Sequence, residues 1–135
     1  MIRITKQAGS CQGQPLQAFS DVFLVKIGFL LTTSPEHQDG FTVYSMTENF
    51  LAMGISVQIY LMEDGVYHGV RNSSSKKLSP DFAALIQKGV PISVCSCNTE
   101  VRGLGEKDFL DGLKLQSQYD LSILVSECDR FLTFG

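Results

Sequence analysis

The sequence predicts an α/β fold with a mainly parallel sheet of about five strands, covered by helices on both faces. Short apolar runs alternate with helix-period segments in the strand–helix–strand order of β-α-β crossovers. Most strand candidates are continuously apolar, as in a sheet buried on both sides. The length, 135 residues, fits one domain with a core of its own.

Residues 1–20 are polar apart from an Ile2/Ile4 alternation and read as an N-terminal arm or edge strand; residues 21–135 form the α/β domain. Val22 to Leu31 reads as the first buried strand, stopped by Thr32-Thr33-Ser34-Pro35. From Phe41 to Met53 the positions Phe41, Tyr44 and Leu51 fit a helix ended by Gly54. Ile55 to Leu61, β-branched and alternating, is the second strand, and Asp64-Gly65 turns the chain. Ser79 as N-cap, Pro80 at the first helical position and Asp81 in the first turn open the clearest helix, which closes at Gly89. Pro91 to Cys95 is the third strand, followed by a short helical turn from Asn98 to Arg102 that Gly103 ends. Glu106 to Ser117 is predicted as a helix with Phe109, Leu110 and Leu113 on one face. Leu121 to Val125 is predicted as a fourth strand, and Phe131 to Phe134 as a last short one.

Composition narrows the function. The chain is 44% hydrophobic and 19% charged, the balance of a globular protein. A net charge of -3 and a pI of about 5.2 give no electrostatic reason for a nucleic-acid partner. Arg3 and Lys6 are not followed by an apolar stretch, and Val22 to Leu31 is too short to span a bilayer, so neither a signal peptide nor a membrane segment is expected. The default location is then the cytoplasm, where Cys11, Cys95, Cys97 and Cys128 are reduced thiols. No Cys-x-x-Cys occurs and His37 and His68 are isolated, so no metal site is expected.

In open parallel sheets, ligands bind beyond the carboxyl ends of the strands. That rule selects Thr32-Thr33-Ser34, Met62 to Gly65, Cys95 to Asn98, and Ser126 to Cys128. Cys95 ends a strand ahead of a possible helix start, where unpaired backbone N–H groups favour a thiolate; Arg102 would add positive charge if the chain folds back. Position alone leaves open whether Cys95 reacts or is a buried small hydrophobe. Cys128 reads as structural, and Cys11 as an exposed thiol without a mechanism. Asp64 is a general base or the first residue of an Asp-Gly turn, and the turn explains it without function. His68 reads as a solvated loop residue, and the stretch from Val70 to Ser79 as a flap or ordinary exposed loop. Gly103-Leu104-Gly105 lacks the rest of a dinucleotide fingerprint, and no Walker sequence or Gly-x-Ser-x-Gly elbow occurs.

Several segments appear in an order that resembles the DsrE/DsrF-like sulfur-relay family. They are Leu30-Leu31-Thr32-Thr33-Ser34, Ala52-Met53-Gly54, Glu63-Asp64-Gly65-Val66, Gly89 to Cys95, Val101-Arg102-Gly103, and Cys128 to Gly135. The resemblance spans about residues 22–135. It implies a three-layer α/β/α sandwich and a homo-oligomer, trimer or hexamer. Counting back from Arg102-Gly103, it also implies that Cys95 is the catalytic thiol, accepting sulfane sulfur as a persulfide and passing it to a partner thiol. Asn98 and Arg102 would stabilise the thiolate or an incoming anion, and Thr33 and Asp64 would line the pocket. Cys97 stands where the family has a small residue and is an accessory thiol of open role. The implied partners are a small sulfur-carrier protein or a low-molecular-weight persulfide or thiosulfate, with no cofactor, nucleic acid or membrane. Two other readings stay open: a non-catalytic assembly subunit or small-ligand binding module, and a redox-sensing thiol protein working through Cys95 and Cys97.

Overall fold

In the computed structural model, which describes residues 2–6, 25–71 and 80–135, the chain is built around a six-stranded sheet. The strands are β1 (Ile2–Lys6), β2 (Lys26–Leu31), β3 (Ser56–Leu61), β4 (Ile92–Cys95), β5 (Lys114–Gln116) and β6 (Arg130–Phe134), in the spatial order β1-β6-β2-β3-β4-β5. β2 to β6 are mutually parallel, while β1 pairs antiparallel with β6 at one edge. Among the described residues the α-helices are α1 (Gln38–Ala52), α2 (Phe82–Gln87), α3 (Ser96–Glu100) and α4 (Gln118–Glu127). Among the described residues no helix is long and apolar enough to cross a membrane.

Alternation along the strands sorts the core into two layers. On one face, Ile27, Phe29 and Leu31 of β2 and Val57, Ile59 and Leu61 of β3 pack with Ile92, Val94, Leu132 and Phe134. Val43 of α1 and Phe82 and Leu85 of α2 cover them. On the other face, Tyr60, Cys95 and Phe131 pack beneath Leu124 of α4 and Cys128. The result is the expected α/β/α sandwich. Each fully buried aliphatic or aromatic side chain contributes roughly 1.5–3 kcal/mol of transfer free energy.

Two predicted elements exchange identity. Glu106 to Ser117 is not a helix: a 3-10 turn spans Glu106–Asp108, Phe109 bridges to Val70, and Lys114–Gln116 is the edge strand β5. Gly112, at φ 89°, breaks any helix there, and Phe109 reaches the core without one. Leu121 to Val125 is not a strand but the middle of α4. Ser117 caps that helix reciprocally with Asp120, and Leu121, Leu124, Val125 and Cys128 follow the 3.6-residue period toward the sheet. Topology also requires it, because parallel β5 and β6 must be joined by a crossover.

The other differences are local. Asp64-Gly65 does not make a simple turn but lies in a 3-10 helix, Glu63–Gly69. α2 opens at Phe82 with Asp81 in the cap position, so Pro80 precedes the helix. Ser79 lies outside the described residues, as do the rest of the predicted flap (72–79), the start of the predicted first strand (22–24), and Cys11 with residues 7–20.

Candidate thiol site

Cys95 is the last residue of β4 and the N-cap of α3. Its side chain has no solvent exposure and lies on the α4 face of the sheet with Tyr60, Leu124, Cys128 and Phe131. It makes no capping hydrogen bond to α3, so the expected support from the backbone N–H groups of that helix is not formed. The polar neighbour of the thiol is Tyr60, itself fully buried, whose hydroxyl donates toward the carbonyls of Ser117 (2.8 Å) and Gln116 (3.2 Å). Burial, followed by the adjacent Cys95, pushes the Tyr60 phenol above its ordinary pKa. Two residues on, Cys97 sits in the first turn of α3 and is exposed. The two thiols thus divide the attributes of a reactive site: Cys95 has the strand-end position, and Cys97 has the access.

The expected stabilising groups are engaged elsewhere. Asn98 Oδ1 accepts the backbone N–H of Glu63 (2.9 Å), and the Asn98 carbonyl accepts from Arg102 Nη1 (3.1 Å). Arg102 Nη2 meets Asp64 Oδ1 at 2.8 Å and Glu63 Oε2 at 3.7 Å. The Asp64 hydrogen bonds raise the Arg102 pKa further. Asn98, Arg102 and Asp64 therefore pin α3 to the exit of β3, and among the described residues none of these bonds reaches Cys95. Glu63 is held in a left-handed conformation (φ 52°), which is costly for a residue with a side chain. Gly65 next to it packs so tightly on the end of β2 that a Cβ would run into the Leu31 carbonyl.

Thr33 joins a different network, so the structure does not bring it together with Cys95. Its hydroxyl donates to Asp39 Oδ2 in the first turn of α1 (3.0 Å), and its carbonyl meets His68 Nε2 (2.9 Å). His68 is not a solvated loop residue: it is 5% exposed, its ring 5.1 Å from that of Phe82 and set against Gly40, where any side chain would collide with it. A carbonyl can only accept, so the proton sits on Nε2 and leaves the Nδ1 lone pair buried without a hydrogen bond among the described residues. Burial lowers the His68 pKa from 6.5 to about 4. Burial likewise pushes the Cys128 thiol up to about 11, the environment of an unreactive cysteine.

The sequence reading does not single out Tyr60, whereas the burial of Cys95 is one of the two readings that its position leaves open. The available signal was parity: Gln58 and Tyr60 share one face of their strand, and a buried tyrosine requires a partner for its hydroxyl.

A three-layer α/β domain with a pair of thiols where its fourth strand passes into a short helix defines the class of this protein. The chain belongs to the DsrE/DsrF-like family, whose model matches residues 25–134. It is 30% identical over 115 residues to the uncharacterized protein MJ0989 of Methanocaldococcus jannaschii, covering 82% of this chain and all of that one. It is 29% identical over 113 residues to the uncharacterized protein MK0008 of Methanopyrus kandleri, covering 80% of this chain and 93% of that one. Among solved structures, the YchN protein of E. coli superposes with a TM-score of 0.70 at 19% identity, over 82% of this chain and all of that one. MTH1491 of Methanobacterium thermoautotrophicum, a protein of unknown function, gives 0.66 at 16% identity, over 82% and 99%. At these identities the two structures speak for the fold.

Proposed function

We propose that the chain is a sulfane-sulfur carrier of a sulfur relay, holding sulfur as a persulfide on Cys95. Family membership supports the relay role. The observation that carries the residue assignment is position: Cys95 closes β4 at the resemblance's spacing ahead of Arg102-Gly103. In the transfer, the Cys95 thiolate attacks the outer sulfur of a donor persulfide. The Sγ–S bond forms, the donor's S–S bond breaks, and the donor leaves as a thiolate. An acceptor thiolate then repeats the step on the Cys95 persulfide, and the electrons balance without an added oxidant. A small carrier protein or a low-molecular-weight persulfide or thiosulfate serves as partner, and the chain works as a homo-oligomer, a trimer or hexamer.

A second reading, in which Cys97 carries the sulfur and Cys95 is structural, is favoured by exposure: Cys97 is open and Cys95 closed. Intact-mass measurement after incubation with a persulfide donor separates the two. The parent protein gains about one sulfur atom, lost again on reduction. Cys95→Ser abolishes the gain and Cys97→Ser keeps it if the first reading holds; the reverse pattern selects the second. A gain that survives in the Cys95→Ser/Cys97→Ser double variant removes the β4–α3 junction as the site.

A further inference from the structure

Beside the buried thiol, the α4 face of the sheet holds an open pocket of ≈ 130 Å³. Gln58 of β3 and Ser93 of β4 line it from the sheet, Gln116 from the end of β5, and Asp120, Leu124 and Glu127 from α4. Pleating fixes its relation to the thiol. Gln58 shares a strand face with Tyr60, and Ser93 with Cys95; Ser93 is the register partner of Tyr60, so the pocket reaches the level of Tyr60 and Cys95 lies two residues, about 6.6 Å, further along β4. Two residues are common to both places. Leu124 lines the pocket and packs with Cys95, and Gln116 lines the pocket while its carbonyl accepts from Tyr60.

We propose that this pocket is the entrance through which a small sulfur donor reaches Cys95, with Tyr60 as its gate. The inference rests on the reading of Cys95 as the carrying thiol and specifies its donor. The lining gives the chemical class. Gln58, Ser93 and Gln116 offer uncharged hydrogen-bonding groups, Asp120 and Glu127 add two carboxylates, and among the described residues no lysine or arginine lines the space. A thiosulfate dianion is repelled there; a small neutral or amine-bearing persulfide is not. The volume admits a molecule of several heavy atoms and not the body of a carrier protein. The gate is held at the edge of the sheet. The Tyr60 hydroxyl ties down the β5–α4 corner through two carbonyls, and β5 is a three-residue edge strand with Lys114 and Leu115 exposed. Release of those bonds frees the corner and opens the path from pocket to thiol.

Charged methanethiosulfonates test this on the full chain without any sulfur-transfer assay. The thiolate attacks the thio sulfur, a disulfide forms and methanesulfinate leaves, and peptide mapping assigns the rate to each cysteine. The 2-aminoethyl reagent is expected to modify Cys95 about fivefold faster than the 2-sulfonatoethyl reagent, relative to the same ratio at exposed Cys97. Glu127→Gln, on the exposed side of α4, reduces that preference. Ser93→Met fills the pocket and slows Cys95 severalfold while leaving Cys97 unchanged. Tyr60→Phe accelerates Cys95 more than Thr47→Ala, a buried hydrogen-bond loss in α1 that controls for general destabilisation. Equal reagent ratios at the two cysteines, an unaltered Cys95 rate in folded Ser93→Met, or a Cys95 that never reacts overturns the proposal. If the expected pattern appears but Cys95 takes up no sulfur, the carrier reading fails and the entrance stands.

Discussion

His68 keeps a bare nitrogen lone pair inside the packed region between Thr33, Gly40 and Phe82, and that has a consequence for stability. Its pKa is about 4 in the folded chain against 6.5 as the ordinary value. Between those two pH values the unfolded chain binds more protons than the folded one, so stability rises with pH across this window. As pH falls from about 6.5 toward 4, His68 removes up to roughly 3 kcal/mol. Urea unfolding of the parent and of His68→Leu at pH 7 and pH 4.5 checks this. The parent loses more stability between the two conditions, and equal losses would show that the imidazole is not the titrating group. None of this could be read from the sequence, where a lone histidine after an Asp-Gly pair has the pattern of a surface loop. What buries it is the 3-10 segment folding back under α1 and α2, a tertiary event with no local signature.

At the scale of elements, α4 decides what the thiol site is. Once residues 118–127 are a helix over the far face of the sheet, Cys95 and Tyr60 fall beneath it. Read as a strand, the same residues leave Cys95 at an open strand end, which is why its position is readable from sequence while its burial stays one of two open readings. The signal for the helix was present: Ser117 and Asp120 stand at capping-box spacing, and their reciprocal bonds form at 2.7–3.3 Å. The run of Leu121, Ile123, Leu124 and Val125 satisfies both the strand and the helix period, and β-branching tips such a run toward strand. By contrast, Ile92 to Cys95 and Ser56 to Leu61 are unambiguous because their buried positions extend over both faces of the sheet. The cap is also measurable: Ser117→Ala is expected to lower stability by about 1 kcal/mol. A shift of the urea midpoint with unchanged slope would show it, and no shift would mean that the first turn of α4 is held by packing alone.

For the whole molecule, the order β1-β6-β2-β3-β4-β5 leaves two edges of different character. At one side β5 is three residues long and ends the sheet with exposed Lys114, a short and charged edge that discourages further pairing. At the other side β6 is a five-residue strand whose Phe131, Leu132 and Phe134 are buried, and β1 covers it by antiparallel pairing along its whole length. The family model matches residues 25–134, which hold the five parallel strands, and β1 lies outside the matched segment. Removing residues 1–6 therefore leaves the parallel frame intact but opens the backbone N–H and C=O groups of β6 that β1 now pairs. An uncovered, apolar edge of that length is a template for pairing with another chain. The truncated protein is expected to keep its far-ultraviolet circular dichroism and its cooperative unfolding. In sedimentation velocity it should form concentration-dependent species larger than those of the full chain at the same concentration. Identical sedimentation of the two would mean that β6 is protected without β1; loss of cooperative unfolding would mean instead that β1 belongs to the folding core.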